Sequence, residues 1–242
     1  AAGYPKALLH RMTSSPKKKP AVPPSPAPRR RSVLLVDDHP FMRAGLAQLI
    51  EHQPDLCVGG EAGNPTEAIQ AIAKNRPDLV LTDLSMPGRS GLEFIKDLKA
   101  ADATLAILVV SMHDEAVYAE RVLRAGARGY IMKEAGGENL LAAIRRVLGG
   151  EVYVSPRMSA RILDSLSARK PRGSSSPIET LTDREFEVFQ LIGQGKSTRE
   201  IAAQLHLSTK TVDVHRSHLK EKLDLKDVTA LIRHAVRWVE TQ

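Results

Sequence analysis

Five side chains that can act on one another each follow a short apolar run. Asp37 and Asp38 follow Val33 to Val36, Asp83 follows Leu79 to Thr82, Ser111 ends Leu105 to Val110, and Lys133 succeeds Tyr130 to Met132. Three carboxylates brought together repel one another and raise each other's pKa unless a cation intervenes. An all-oxygen donor set that needs neither His nor Cys suits Mg2+, a hard ion that keeps several waters and takes one or two carboxylates. A metal-screened carboxylate nucleophile beside an ammonium has the parts for phosphoryl transfer. Taken singly, each residue has a plainer use. Asp38 can start a helix, Asp83 can open a loop, Ser111 can satisfy a turn, and Lys133 can be a surface charge. Only their joint placement at strand ends carries the chemical reading.

That placement depends on the elements between them. Val33 to Val36, Leu56 to Val58, Leu79 to Leu81, Leu105 to Val110 and Tyr130 to Met132 read as buried parallel strands, being aliphatic without clear alternation. Phe41 to Glu51, Pro65 to Asn75, Gly91 to Ala100, Glu115 to Ala125 and Glu138 to Leu148 place apolar residues three and four apart and read as helices. Five βα units predict an α/β doubly wound, five-stranded parallel sheet, a fold that puts ligands at the carboxyl ends of its strands. Cys57, the single cysteine, reads as a small strand hydrophobe and excludes an intrachain disulfide or a Cys-rich metal site.

The blocks VDDHP, LTDLSMPGRSGLE, VVSMHD and GYIMK resemble the receiver domain of two-component response regulators over residues 32–152. The resemblance implies a flavodoxin-like fold with Asp83 as phosphoacceptor and Mg2+ held by Asp37, Asp38, Asp83 and the backbone carbonyl of Ser85. It also implies that Ser111 bonds a phosphoryl oxygen, that Lys133 pairs with the phosphoryl group, and that Tyr130 is a switch aromatic turning inward as Ser111 moves. Glu134 stands after Lys133 where many receivers have Pro. Ser85 and His113 flank the site, where they could position water for hydrolysis.

The last quarter of the chain has a different grammar. Leu181-Thr182-Asp183-Arg184-Glu185-Phe186 reads as a capping box with a hydrophobic staple, starting a helix that stops near Gly193, and Ser197 to Glu200 repeats the box. Ser208 should cap a third helix, and Lys226 to Trp238 should form a fourth. Short helices joined by His206-Leu207-Ser208 make a helix-turn-helix pattern whose later helix enters the major groove. On it Val212, His215, Leu219 and Leu223 share the inner face, His215 as a structural histidine.

Residues 179–242 resemble the LuxR/NarL/FixJ type of DNA-binding domain. From that placement Lys210, Arg216 and Lys220 would meet phosphates, while Thr211, Asp213, Val214 and Ser217 are best placed for base edges. Asp213 stands where many relatives carry Lys. Val228, Leu231 and Ile232 could supply a dimer face or pack internally.

The 242 residues carry a net charge of +7. Residues 1–31 hold eight Lys or Arg and no acid, so the remainder sums to −1. That Pro-rich basic tail is expected to be disordered, either a nonspecific nucleic-acid arm or a solvated extension. Residues 153–178 read as a linker, with RKPRGSSSP its flexible part. A formally neutral reader domain should bind DNA weakly as a monomer and depend on pairing. The longest apolar run, Leu105 to Val110, is far short of the roughly 20 residues of a membrane span. The expected protein is therefore cytoplasmic and not an enzyme beyond its own phosphoryl transfer and slow dephosphorylation. The resemblance implies a sensor histidine kinase, a double-stranded operator, a homodimer and RNA polymerase as partners. An aspartate-nucleophile phosphatase of the haloacid-dehalogenase type would want an acid where Ser85 stands, and a dinucleotide oxidoreductase would want GxGxxG in place of VDDHPF. A phosphorylation-independent DNA-binding or scaffold protein is the remaining rival.

Overall fold

The structure is a computed structural model that describes residues 29–86, 90–167, 177–205 and 207–241. The tail up to Pro28, the linker run RKPRGSSSP except its last proline, and His206 of the expected turn lie outside the described residues.

Five parallel strands, β1 (Arg31–Val36), β2 (Leu56–Ala62), β3 (Leu79–Thr82), β4 (Ala106–Ser111) and β5 (Gly129–Met132), form one sheet in the order β2-β1-β3-β4-β5. Alternate side chains leave the two faces of each strand. Val33, Leu35, Leu79, Leu81, Leu108, Val110 and Ile131 point into one core with α1 (Pro40–Glu51) and α5 (Gly137–Leu148). Leu34, Val36, Val80, Ile107, Val109 and Tyr130 point into the other, under α2 (Pro65–Asn75), α3 (Gly91–Ala101) and α4 (Glu115–Ala125). The chain leaves β1 toward β2 and then crosses to β3 on the opposite side. This reversal opens a crevice outside the carboxyl ends of β1 and β3, where Asp37, Asp38 and Asp83 begin their loops.

Local chemistry fixes the helix starts. Asn64 accepts from the Glu67 amide at 3.0 Å while Glu67 returns to the Gly63 amide at 2.7 Å. The side chains of Ser90 and Asp114 cap α3 and α4 in the same manner. Gly91 is required by space. A Cβ there would lie 2.6 Å from the Leu84 backbone, so its absence lets α3 approach the loop that follows Asp83.

Several features depart from the expected boundaries. Arg31 opens β1 instead of ending the tail, and the Arg30 guanidinium donates to the Leu56 carbonyl at 2.5 Å. Tyr153 lies alongside β5 through a bridge to Gly129, and its carbonyl accepts from the Tyr130 amide at 2.9 Å. Within the expected linker, Pro156–Ser167 is a helix, α6, that packs on α4 and buries Met158.

The reader domain contains α7 (Asp183–Gly193), α8 (Thr198–Gln204), α9 (Thr209–Lys222) and α10 (Val228–Glu240). Both capping boxes form, Thr182 with Glu185 and Ser197 with Glu200, and Ser208 caps α9 by accepting from the Thr211 amide at 3.0 Å. The last helix starts at Val228, two residues after the expected Lys226, because the Asp227 side chain accepts from the Ala230 amide at 2.7 Å and so becomes the cap. Phe186, Phe189, Ile192, Ile201, Val212, Leu219, Leu231 and Ala235 fill the core, and this core runs without a break into the α3 and α4 side of the receiver.

Candidate phosphoacceptor site and DNA-reading face

Lys133 organises the crevice. Its Nζ lies 2.7 Å from Asp37 Oδ2 and 2.8 Å from Asp83 Oδ2, and all three side chains are almost sealed from solvent. Burial opposes the lysine charge, but the hydrogen bonds to Asp37 and Asp83 outweigh it and hold the pKa above the ordinary lysine value. The other Asp83 oxygen, Oδ1, accepts from the amides of Leu84 at 2.6 Å and Ser85 at 3.3 Å. Asp37 Oδ1 accepts from the His39 amide at 2.8 Å, and Arg43 donates to the Asp37 carbonyl at 2.5 Å. The carboxylate loops are thus pinned from both sides.

Asp37, Asp38, His39 and Asp83 offer ligand atoms within 4.8 Å of one another. Among the described residues, buried Asp38 Oδ1 accepts no hydrogen bond, since His39 Nδ1, at 2.8 Å, is outside hydrogen-bonding geometry. A buried, uncompensated carboxylate oxygen beside two further carboxylates is what a divalent cation would satisfy, so the donor set fits Mg2+. His39 completes this cluster although its residue type was not required for an oxygen site; its place next to the acid pair was the available signal.

Ser111 is fully buried at the end of β4, and its Oγ accepts from the His113 amide at 3.3 Å. Tyr130 is already inside, fully buried, with its hydroxyl donating to the His113 carbonyl at 2.7 Å. The inward position therefore exists without a prior movement of Ser111. Ser85 Oγ and His113 Nε2 are 2.6 Å apart at the mouth of the site. Burial lowers the His113 pKa, with Asp83 pulling it up and Lys133 pushing it down. Its ring stacks on Tyr118 at 4.7 Å between centroids.

On α9, Lys210, Asp213, Val214 and Ser217 are exposed, and Val214 shows 45% of its surface. Three other candidates are partly committed. Thr211 Oγ1 lies 2.7 Å from the Ser208 hydroxyl, Arg216 donates to Thr198 Oγ1 at 2.6 Å, and Lys220 is half-buried. Arg216 thus ties α9 to the start of α8. His215 sits on the inner side as expected, but its buried Nδ1 has no hydrogen-bond partner among the described residues, so it is not satisfied. Burial lowers its pKa. Leu231 is wholly buried in the domain core and is not available to a dimer face, whereas Val228 and Ile232 are 40% and 42% exposed.

The contacts joining the domains were not legible beforehand. Arg121 of α4 donates to the carbonyls of Leu181 at 2.8 Å and Ile178 at 2.9 Å, and its guanidinium lies 4.5 Å from the Phe186 ring centre. Tyr118, 5% exposed, meets Phe186 edge to face at 5.1 Å. The signal that could have found them is a tyrosine and an arginine one turn apart on the buried side of α4. Among the described residues, no helix is long and apolar enough to cross a membrane.

Comparison with known proteins agrees with both halves. Residues 33–145 match the model of the response regulator receiver domain, and residues 179–235 match that of bacterial regulatory proteins of the luxR family. Oxygen regulatory protein NreC of Staphylococcus carnosus (strain TM300) is 34% identical over 209 residues, spanning 85% of this chain and 96% of that protein. Its counterpart in Staphylococcus aureus (strain MRSA252) is 38% identical over 211 residues, with the same coverage of 85% and 96%. RcsB from Salmonella enterica serovar Typhimurium, solved on promoter rprA with the phosphomimetic BeF3-, superposes with a TM-score of 0.66 at 26% identity, covering 86% of this chain and 99% of that one. A two-component response regulator of the LuxR family from Aurantimonas sp. SI85-9A1 gives a TM-score of 0.54 at 33% identity over 58% of this chain and all of its own. With a carboxylate crevice at the sheet's switch point and a capped helical reader behind it, the chain belongs to the two-component response regulators that join a receiver domain to a LuxR-type helix-turn-helix domain.

Proposed function

We propose that this regulator takes a phosphoryl group onto Asp83 from the phosphohistidine of a sensor kinase, and that the modification changes how the reader domain engages an operator as a dimer. The single observation that carries the reading is the Lys133 ammonium, held between Asp37 and Asp83 at 2.7 and 2.8 Å. In transfer, an Asp83 oxygen attacks phosphorus, the phosphorus–nitrogen bond breaks and imidazole leaves. Lys133 would then follow a phosphoryl oxygen, with the Ser111 hydroxyl and the amides of Leu84 and Ser85 as donors to others. Asp37, Asp38 and Asp83, with the Ser85 carbonyl, would hold Mg2+, which screens the negative charge of nucleophile and phosphoryl oxygens. Phosphorylation adds roughly 1.5 to 2 negative charges. A contact path leads outward from there through Ser85, His113 and Tyr118 to Phe186 of the reader.

For DNA, Lys210 and Lys220 would meet phosphates, with Arg216 contributing once released from Thr198. Asp213, Val214 and Ser217, with Thr211 at the edge, would face bases. Val228 and Ile232 supply apolar surface for pairing two readers. The RcsB structures include two dimers bound to two parallel DNAs, which supports the dimeric reading for this chain. Binding to an operator places the regulator with the DNA in the cytoplasm and within reach of RNA polymerase.

Incubation with acetyl phosphate and Mg2+ tests the assignment. The wild-type chain is expected to gain the mass of one phosphoryl group and Asp83→Asn none. Equal gain by both would place the phosphoacceptor elsewhere, and operator affinity unmoved by modification would overturn the switch.

A further inference from the structure

Glu187 lies on α7 at the seam between the domains, its side chain 12% exposed. It accepts from the Ser90 hydroxyl of the receiver, and Arg184 donates to its other oxygen at 2.9 Å. Ser90 also caps α3, so the contact is made to a fixed group.

The charges around Glu187 are poorly matched to a second carboxylate. From α3, Glu93 faces it and shares Arg184 at 3.4 Å. Lys96, also on α3, is taken by Asp183 at 2.7 Å, and Arg121 of α4 by the same Asp183 at 3.2 Å and by backbone carbonyls. On the remaining side lie Gln190, Gln194, the buried Tyr118 and the half-buried His113, whose pKa burial lowers. Three acids therefore meet at the seam, and among the described residues the only cation reaching Glu187 is divided between it and Glu93.

We propose that Glu187 makes the contact between receiver and reader a proton-dependent latch: docking takes up a proton at this carboxylate, so acidification holds the domains together and alkalinisation releases them. The proton converts the carboxylate to a carboxylic acid that keeps its hydrogen bond with Ser90. Once the domains part, the side chain regains water and gives the proton up. Burial first, then Glu93 and Asp183 against the pull of Arg184, push the docked pKa up to about 7 from the ordinary 4.5. Because the docked value is the higher one, the contribution is complete below about 4.5 and is lost as pH rises through about 7. From pH 6 to pH 8 the docking constant should fall about tenfold. The proposal does not depend on phosphorylation of Asp83.

The carboxyl 13C resonance of Glu187 in the full-length chain, identified by its loss in Glu187→Gln, is the direct test. It is expected to titrate near neutrality, and a midpoint at the ordinary glutamate value overturns the proposal. Energy transfer from the single tryptophan, Trp238, to an acceptor on the single cysteine, Cys57, reads the separation of the domains. Both the wild-type chain and Arg121→Ala, which weakens docking by another route, are followed from pH 6 to pH 8. Transfer is expected to change with pH in at least one of them, and Glu187→Gln is expected to abolish the change while keeping the domains docked. A pH slope that survives Glu187→Gln overturns the latch. Glu93→Gln, at a half-buried position, should move the carboxyl midpoint downward.

Discussion

The carboxylate crevice and the outer face of α9 differ in where their charges look. In the crevice, Lys133, Asp37, Asp83, His39 and Arg43 are bonded to one another or to nearby backbone. On α9, Lys210, Asp213 and Val214 project from the protein, and the Ser217 hydroxyl turns back only to the Asp213 carbonyl at 3.1 Å. Where buried charges are locked to one another, one substitution costs stability and activity together. A face awaiting a partner can be changed with little cost to folding. Mutation separates these two cases.

The largest effect is expected at Lys133→Met, which strands two buried carboxylates. Removing one partner of a buried pair costs about 3–5 kcal/mol, and losing a positioned cation slows transfer by about 10²- to 10³-fold. Stability to urea and the rate with acetyl phosphate should fall together; if activity drops while stability holds, the Lys133 contacts do not support the fold.

Glu185 tests whether the reader has an interior network of the same kind. Its nearly sealed carboxylate accepts from Lys222 at 2.7 Å and from the Thr182 amide at 2.8 Å. Burial works against its charge, but Lys222 and Thr182 together lower its pKa. Its stabilisation is accordingly present above the ordinary value of 4.5 and lost as pH falls through the depressed one. Glu185→Gln should cost about 1.5–3 kcal/mol in urea at neutral pH and shrink toward zero in acid.

The smallest effect on folding belongs to α9. Asp213→Ala and Ser217→Ala should leave unfolding within about 0.5 kcal/mol, yet change discrimination between operator bases by about 1–3 kcal/mol in binding titrations. Variants that unfold the reader instead would assign these side chains to its scaffold.

The same contrast explains what could be read from residues alone. The crevice was legible because strand ends are local features and the fold brings consecutive strand ends to one edge. The helices of the reader were legible because Thr182, Glu185, Ser197 and Glu200 advertise their own caps. Asp227 moves the start of the last helix from the expected Lys226 to Val228, where its apolar stripe begins, because a capping side chain fixes a start sharply. The helix Pro156–Ser167 was hidden by its basic, linker-like composition although Met158 and Ile162 lie one turn apart. Docking of α7 on α4 left no local pattern, since Arg121 and Leu181 are 60 residues apart and the bond uses a backbone carbonyl. Tyr130 was legible as part of a buried strand, but which way its ring turns depends on packing that no sequence interval records.

One edge of the sheet has a consequence for solubility. Tyr153 shields part of β5, which leaves β2 as the more open margin. That strand reads Leu-Cys-Val-Gly-Gly-Glu-Ala. Two glycines weaken its extended conformation, and Glu61 would confront its own copy if two such margins paired antiparallel around it. The margin is therefore a poor template for cross-strand growth, so the chain can be concentrated on DNA by its helices without its sheets fusing.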